Sequence, residues 1–270
     1  MQDAQQIIDT AHEMADAARR AILPLFRDAS VMADNKRPAD FDPVTEADRA
    51  AEMAMREVLA RRRPEDGIFG EEFGQSEGRS GLTWILDPID GTRAFLCGAP
   101  SWGVLIGLSD GQRMRYGLID QPYIGERFEG GLGRARLTAP MGGRDLAVRR
   151  GIALDQATLM TTYPEVGSAA EGRAFARVAG KVRLTRYGLD CYAYALLALG
   201  HVDLVIEAGL QAYDIAGPMA VVEAAGGIVT DWQGGSALAG GRVIAAASAE
   251  LHEAALALLN ADEGPVRGSD

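Results

Sequence analysis

Apolar side chains recur at spacings of three and four through residues 4–26, where Ile7, Ile8, Ala11, Met14, Ala15, Ala18, Ile22 and Phe26 share one stripe. That period predicts a helix lying on a core. It returns over 46–62 with Ala47, Ala51, Ala54, Met55, Val58 and Leu59, and Thr45 stands in front as an N-cap. From 66 to 137 the runs shorten. "GIFG", "LTWIL", "WGVLIGL", "RYGLIDQP", "GERFEG" and "RARLT" are apolar or alternating segments punctuated by Gly, Asp and Pro. They predict strands of a largely antiparallel sheet, with "SDGQ" at 109–112 as a tight turn.

The polar, Gly-containing stretch 138–152 is expected to link a first half, 1–140, to a second, 141–270. In the second half strands and helices alternate. "ATLMTTYP" and "KVRLTRYG" flank a helix near 168–179; a helix near 190–199, the strand "VDLVIEAG", a helix over 214–225, the strands "GGIVTDW" and "RVIAAAS", and a helix near 249–260 follow. This alternation predicts an α/β layered architecture.

The chain has 270 residues, 47% hydrophobic and 24% charged, enough to bury a large core. A net charge of −11 argues against nucleic acid or an anionic membrane as partner, since both need clustered Lys and Arg. Cys97 and Cys191 stand far apart outside any paired-Cys motif, so neither a disulfide framework nor a structural zinc site is indicated and a cytoplasmic location is expected. The N-terminus lacks a basic start followed by an apolar block, and "CYAYALLALGHVDLVIEAG" is interrupted by His201 and Asp203, so no membrane span is expected.

The candidate chemistry lies in the acids that close apolar runs. "WILDPIDGTRAF", 84–95, sets Asp87 and Asp90 at the end of a strand that Pro88 keeps from continuing as a regular ladder. Gly91 permits a sharp bend, after which Thr92 opens a short helix or turn with backbone N–H groups available. Two readings are open: a solvated turn whose Asp side chains cap amides, or a site for hard cations bridged to a phosphate. Glu71 and Glu72 follow "GIFG" in the same position, and Asp214 starts an apolar helix. A charged hairpin and a helix-capping acid are the alternatives there.

"DPVTEAD" (42–48), "GEE" (70–72), "WILDPIDGT" (84–92) and "YDIAGPMAVVEAAGG" (213–227) together resemble the motif set of the inositol monophosphatase family, in order and spacing over nearly the whole chain. The resemblance implies an αβαβα sandwich and metal-assisted hydrolysis of a phosphate monoester. It implies that Glu71, Asp87, the carbonyl of Ile89, Asp90 and Asp214 hold two or three magnesium ions, with manganese as a substitute. It further implies that Thr92 and Glu71 orient the attacking water, that the amides of Gly91 and Thr92 hold phosphate, and that Asp48, near Thr45, supports Thr92 or a further water. Lys36 matches a family lysine near the site. A small-molecule phosphate ester is the implied partner, and a homodimer the implied assembly.

"DPIDGTRAFLCGAPSWGVLIGL", "GLIDQPYIGERFEG" and "RYGLDCYAYALLALGHVDLVIEAGLQAYDIA" are similar to the histidinol-phosphatase branch, in which Arg93 follows the "DPIDGT" hexamer. Asp190, Glu207 and Arg93 would then face the alcohol part of the substrate, carboxylates suiting the ammonium and imidazole of histidinol phosphate. Asp190 has the further reading of a helix N-cap, and Glu207 of a solvated strand end. Leu189 departs from the branch, which carries Gly there, and is expected to narrow the pocket or alter the backbone before Asp190. The alternative substrates are inositol 1-phosphate or a range of sugar and inositol phosphates. His12, His201 and His252 read as structural, and Arg186 and Tyr187 as packing residues.

Overall fold

In the computed structural model, which describes residues 2–28, 34–35 and 43–261, the two apolar stripes become α1 (Gln2–Ile22) and α2 (Glu46–Arg62). Lys36 lies outside the described residues. Thr45 caps α2: its Oγ1 accepts from the amides of Ala47 and Asp48, while Asp48 Oδ2 accepts from the Thr45 amide at 2.8 Å. These reciprocal bonds satisfy donors that a helix start leaves open. Met14, Ala18 and Ile22 of α1 and Ala51, Met55 and Leu59 of α2 are buried in one cluster with Trp84, Leu86, Val104 and Ile106.

The short β1 (Asp34–Asn35) and β2 (Pro43–Val44) pair with each other. A larger sheet holds β3 (Gly67–Gly70), β4 (Gly74–Ser76), β5 (Thr83–Asp90), β6 (Gly103–Ser109), β7 (Met114–Gln121), β8 (Glu126–Gly131), β9 (Arg134–Thr138) and β10 (Arg144–Asp145), in the order β10-β9-β8-β7-β6-β5-β3-β4. Its described pairings are antiparallel except β3 with β5. The stretch expected as a bare link thus contributes β10, which extends the sheet by pairing with β9. Helix α3 (Thr92–Leu96) follows β5.

The second sheet holds β11 (Thr158–Thr161), β12 (Leu184–Tyr187), β13 (Leu204–Leu210), β14 (Ile228–Asp231) and β15 (Gly241–Ala246), in the order β12-β11-β13-β15-β14. Its helices are α4 (Ala169–Ala179), α5 (Tyr192–Ala198), α6 (Ala212–Ala224) and α7 (Ala249–Leu259). The layers follow from the contacts. Helices α1 and α2 pack together on the first sheet, α6 touches both sheets with α5 beside it, and α4 packs with α7. The result is the expected αβαβα sandwich, with a core running from Leu105 and Phe128 through Leu197 and Ile215 to Val205 and Ile244.

Three glycines seat α6. Gly107, Gly117 and Gly130 are direct neighbours across β6, β7 and β8. A Cβ added to Gly117 would sit 2.4 Å from the Gly217 carbonyl oxygen, and one on Gly130 would sit 2.5 Å from that of Ala220. The row is therefore a groove that only glycine leaves open.

Buried polar groups tie α1 to the sheet. Asp120 accepts from Arg19 Nη2 at 2.8 Å and Arg127 Nε at 2.6 Å, and Glu129 accepts from Tyr116 Oη at 2.6 Å. His12 Nε2 lies 3.2 Å from the same Glu129 carboxylate, and His252 pairs with Thr230 Oγ1 at 2.7 Å. Replacing Tyr116 by Phe removes a donor to a buried carboxylate, and we expect a loss of about 1.5 kcal/mol in urea unfolding with an unchanged m-value.

Candidate active site

The parallel pairing of β3 with β5 explains how distant acids meet. Gly70 is opposite Leu86, and the Glu71 amide donates to the Leu86 carbonyl at 3.1 Å, so Glu71 leaves its strand beside Asp87. Strand β5 continues through Pro88 to Asp90, with its register on β6 shifted between Asp87 and Asp90. Proline keeps the backbone extended but supplies no N–H, so the ladder slips without the strand ending.

Asp214 arrives from the first turn of α6, which begins at Ala212, two residues before the expected start. Its Oδ2 accepts from the Gln211 amide at 2.7 Å. Carboxylate oxygens of Asp87, Asp90 and Asp214 lie within 4.8 Å of one another, as do those of Asp48, Glu71 and Glu72. The Glu71 charge lies close enough to raise the Asp87 carboxyl, which joins the two groups. Asp90 Oδ2 also accepts from the Cys191 amide at 2.6 Å, which brings the second half of the chain onto the site.

Burial, followed by the charges of neighbouring acids, pushes the Asp87 and Asp90 carboxyls well above the usual carboxylate range. Asp48 is pushed up to about 7, chiefly by burial. Asp48 Oδ1 and Asp87 Oδ1 are buried without a hydrogen-bond partner among the described residues. Crowded carboxylates with unpartnered oxygens form a donor set that fits hard divalent cations.

Gly91 adopts φ 85°, ψ 40°, a left-handed conformation that turns the chain into α3. A Cβ there would also lie 2.9 Å from Asp190 Cγ, so two constraints favour glycine. Thr92 Oγ1 donates to the Ile89 carbonyl at 3.1 Å, pairing two of the residues implied as site members.

Asp190 does not cap α5. That helix starts at Tyr192 with Cys191 in the capping position, and Asp190 holds φ 47° after Gly188 at φ 86°. Its backbone is thus in the left-handed region, away from the extended conformation of an N-cap, and Ser101 and the Arg93 charge favour the ionised form of its side chain. Burial raises its carboxyl to about 6. Glu207 is no solvated strand end: at 6% exposure it accepts from Thr161 Oγ1 at 3.0 Å, the Thr162 amide at 2.7 Å and Thr162 Oγ1 at 2.9 Å. Burial raises it to about 7.

These residues surround two adjoining cavities. Glu71, Asp87, Ile89, Gly91, Thr92 and Arg93 line one, Thr162, Tyr194 and Glu207 the other, and Asp90, Tyr163, Asp190 and Asp214 border both. Arg93 Nη1 donates to Tyr163 Oη at 2.9 Å, closing one side. Leu189 packs partly buried against the hydrophobic core and is not among the residues lining either cavity. Arg186 and Tyr187, expected to pack, are exposed because β12 is the edge of its sheet.

Thr162, Tyr163 and Tyr194 were not legible as site residues: "TTYP" reads only as a strand end and Tyr194 only as part of an apolar helix. The Tyr194 hydroxyl is buried with no partner among the described residues.

The profile of the Inositol monophosphatase family matches residues 3–263. The chain is 42% identical over 254 residues to the bifunctional phosphatase IMPL2, chloroplastic, of Arabidopsis thaliana, covering 90% of this chain and 72% of that protein. It is 35% identical over 254 residues to the histidinol-phosphatase of Mycobacterium tuberculosis, covering 92% and 95%. A solved inositol monophosphatase from Zymomonas mobilis matches with a TM-score of 0.83 at 43% identity, covering 94% of this chain and 98% of that one.

Proposed function

The chain belongs to the inositol monophosphatase family, and from that premise we propose that this phosphatase is a magnesium-dependent histidinol-phosphate phosphatase, releasing L-histidinol and phosphate. The observation that carries the substrate is the acid-lined cavity beside the metal-type cluster: Asp190 and Glu207 border the space next to Asp90 and Asp214. A substrate ammonium would stabilise the charged form of a buried carboxylate, whereas hydroxyls alone would do so less. Relatives named histidinol-phosphatase support the same choice.

Enzymes of this family use divalent metal ions, and the residues to hold them here would be Glu71, Asp87, the Ile89 carbonyl, Asp90 and Asp214. Bound cations supply the Lewis-acid charge that a dianionic ester and a poor leaving group demand. The chain's own residues do the positioning. The amides of Gly91 and Thr92, at the start of α3, would hold phosphate oxygens. Asp48 Oδ1 would accept a hydrogen bond from the attacking water, and Thr92 Oγ1 and Glu71 would help to orient it. Arg93 and Tyr163 would bound the alcohol side with Asp190 and Glu207. A homodimer and a cytoplasmic location complete this reading and rest on the family resemblance and the composition.

Phosphate release from L-histidinol phosphate and inositol 1-phosphate, side by side, tests the substrate. We expect a chelator-sensitive preference for histidinol phosphate, and Asp190→Ala to raise its KM about tenfold or more while changing that for an uncharged ester less. Comparable hydrolysis of both esters, the outcome favoured by the similarity to the Zymomonas enzyme, would overturn the substrate and leave the phosphatase chemistry in place.

A further inference from the structure

Glu52 sits on α2 one turn beyond Asp48, inside an apolar stripe between Ala51 and Met55, and is fully buried. A carboxylate there is costly to bury unless its oxygens are taken up. Both are. Oε2 accepts from the Glu72 amide at 2.6 Å, and Oε1 accepts from the Phe73 amide at 3.2 Å and from Arg56 Nε at 2.7 Å. Arg56 Nη2 in turn donates to the Gly74 carbonyl at 2.5 Å. Glu52 and Arg56 therefore hold the turn between β3 and β4 at Glu72, Phe73 and Gly74, directly after Glu71.

Gly70 completes the grip. A Cβ at that position would lie 2.0 Å from Glu52 Oε1, so the carboxylate reaches the turn only because position 70 has no side chain. The turn so held presents Glu71 and Glu72 to Asp48, with carboxylate oxygens of all three within 4.8 Å. Repulsion among them would spread an unsupported turn. Residues i and i+4 share a helix face, so α2 carries one member of the acid cluster at 48 and the support for the other two at 52.

We propose that Glu52 is a positioning residue that, with Arg56, fixes the Glu71–Glu72 turn and thereby sets the protein's affinity for divalent cations, an inference that rests on reading Glu71 as a metal ligand. Glu52 touches neither cavity. Its effect is on how well the ligand oxygens converge before a cation arrives, the part that outer partners play at metal sites.

The test is titration calorimetry with manganese on the wild-type protein and on Glu52→Gln, alongside thermal melting in excess chelator. Glutamine keeps the shape but turns one acceptor into a donor facing Arg56 or a turn amide. We expect the manganese Kd to rise about tenfold or more while the variant stays folded in chelator, and kcat at saturating metal to change far less than the metal requirement. If Glu52→Gln does not fold, Arg56→Lys, which keeps the charge but loses the fork, is expected to raise the Kd in the same direction. A folded variant with wild-type Kd overturns the role of Glu52 and leaves only a structural ion pair. Absence of manganese binding by the wild-type protein would instead overturn the ligand reading, and this inference with it.

Discussion

Millimolar magnesium is expected to raise the melting midpoint of the chelator-treated protein by roughly 5–10 °C, the shift that about 2.7 kcal/mol of ligand linkage gives a chain of this size. The reason is the crowding of Asp48, Glu71, Asp87, Asp90 and Asp214 into two adjoining, partly buried clusters. Each charged carboxylate there raises the free energy of its neighbours, and a bound cation reverses the sign of that interaction. The effect also has a direction with pH. Asp48, Asp190 and Glu207 have folded-state values raised to about 7, about 6 and about 7. Groups raised on folding contribute stability that is full below the unfolded carboxylate range and disappears as pH rises through the folded value. In chelator, therefore, the midpoint is expected to fall between about pH 4.5 and about pH 7.5, and the increment from magnesium to be larger at the upper end. A melting curve insensitive to magnesium at both ends would remove the cation site.

Asp90→Asn is expected to lower kcat by roughly 10³-fold or more, since losing a carboxylate that would hold the cations forfeits several kcal/mol of charge stabilisation and each 1.36 kcal/mol is a factor of ten. Folding should survive. Asparagine keeps an oxygen able to accept the Cys191 amide bond that Asp90 Oδ2 now takes at 2.6 Å, and it removes a charge that burial and Asp190 already disfavour. The chelator-form midpoint should thus hold or rise while the magnesium increment shrinks. Full activity in this variant would refute the role of Asp90; low activity with a lowered chelator-form midpoint would point to damage of the fold instead.

The stripes of α1 and α2 and the strands before Asp87 were readable because each rests on a local period set by burial. The acids at strand ends were readable for a related reason, since a charged group that interrupts an apolar run needs an explanation. What escaped depends on partners far away in the chain. Glu52 looked like one more polar residue of a helix, although it breaks the buried stripe, and its meaning comes from amides twenty residues on. Tyr163 acquires a place only through Arg93, seventy positions earlier. Asp190 carries two readings in the sequence, a substrate-facing acid and a cap, because an acid preceding a helix is usually a cap; the left-handed backbone that decides against the cap follows Gly188 and brings the side chain up to Gly91. The exposure of Tyr187 depends on strand order, since β12 lies at the sheet edge.

The row formed by Gly107, Gly117 and Gly130 works as a spacer gauge. Helix α6 rests directly on that row, and Asp214 stands in its first turn. The height of the helix above the sheet therefore fixes how far Asp214 stands from the acids of β5. A methyl group on any of the three would act as a shim, tilting or lifting the helix and displacing a carboxylate carried by a different element. The alphabet allowed at these interior positions has one letter, and part of the reason lies in the chemistry at the end of the helix as well as in the packing along it.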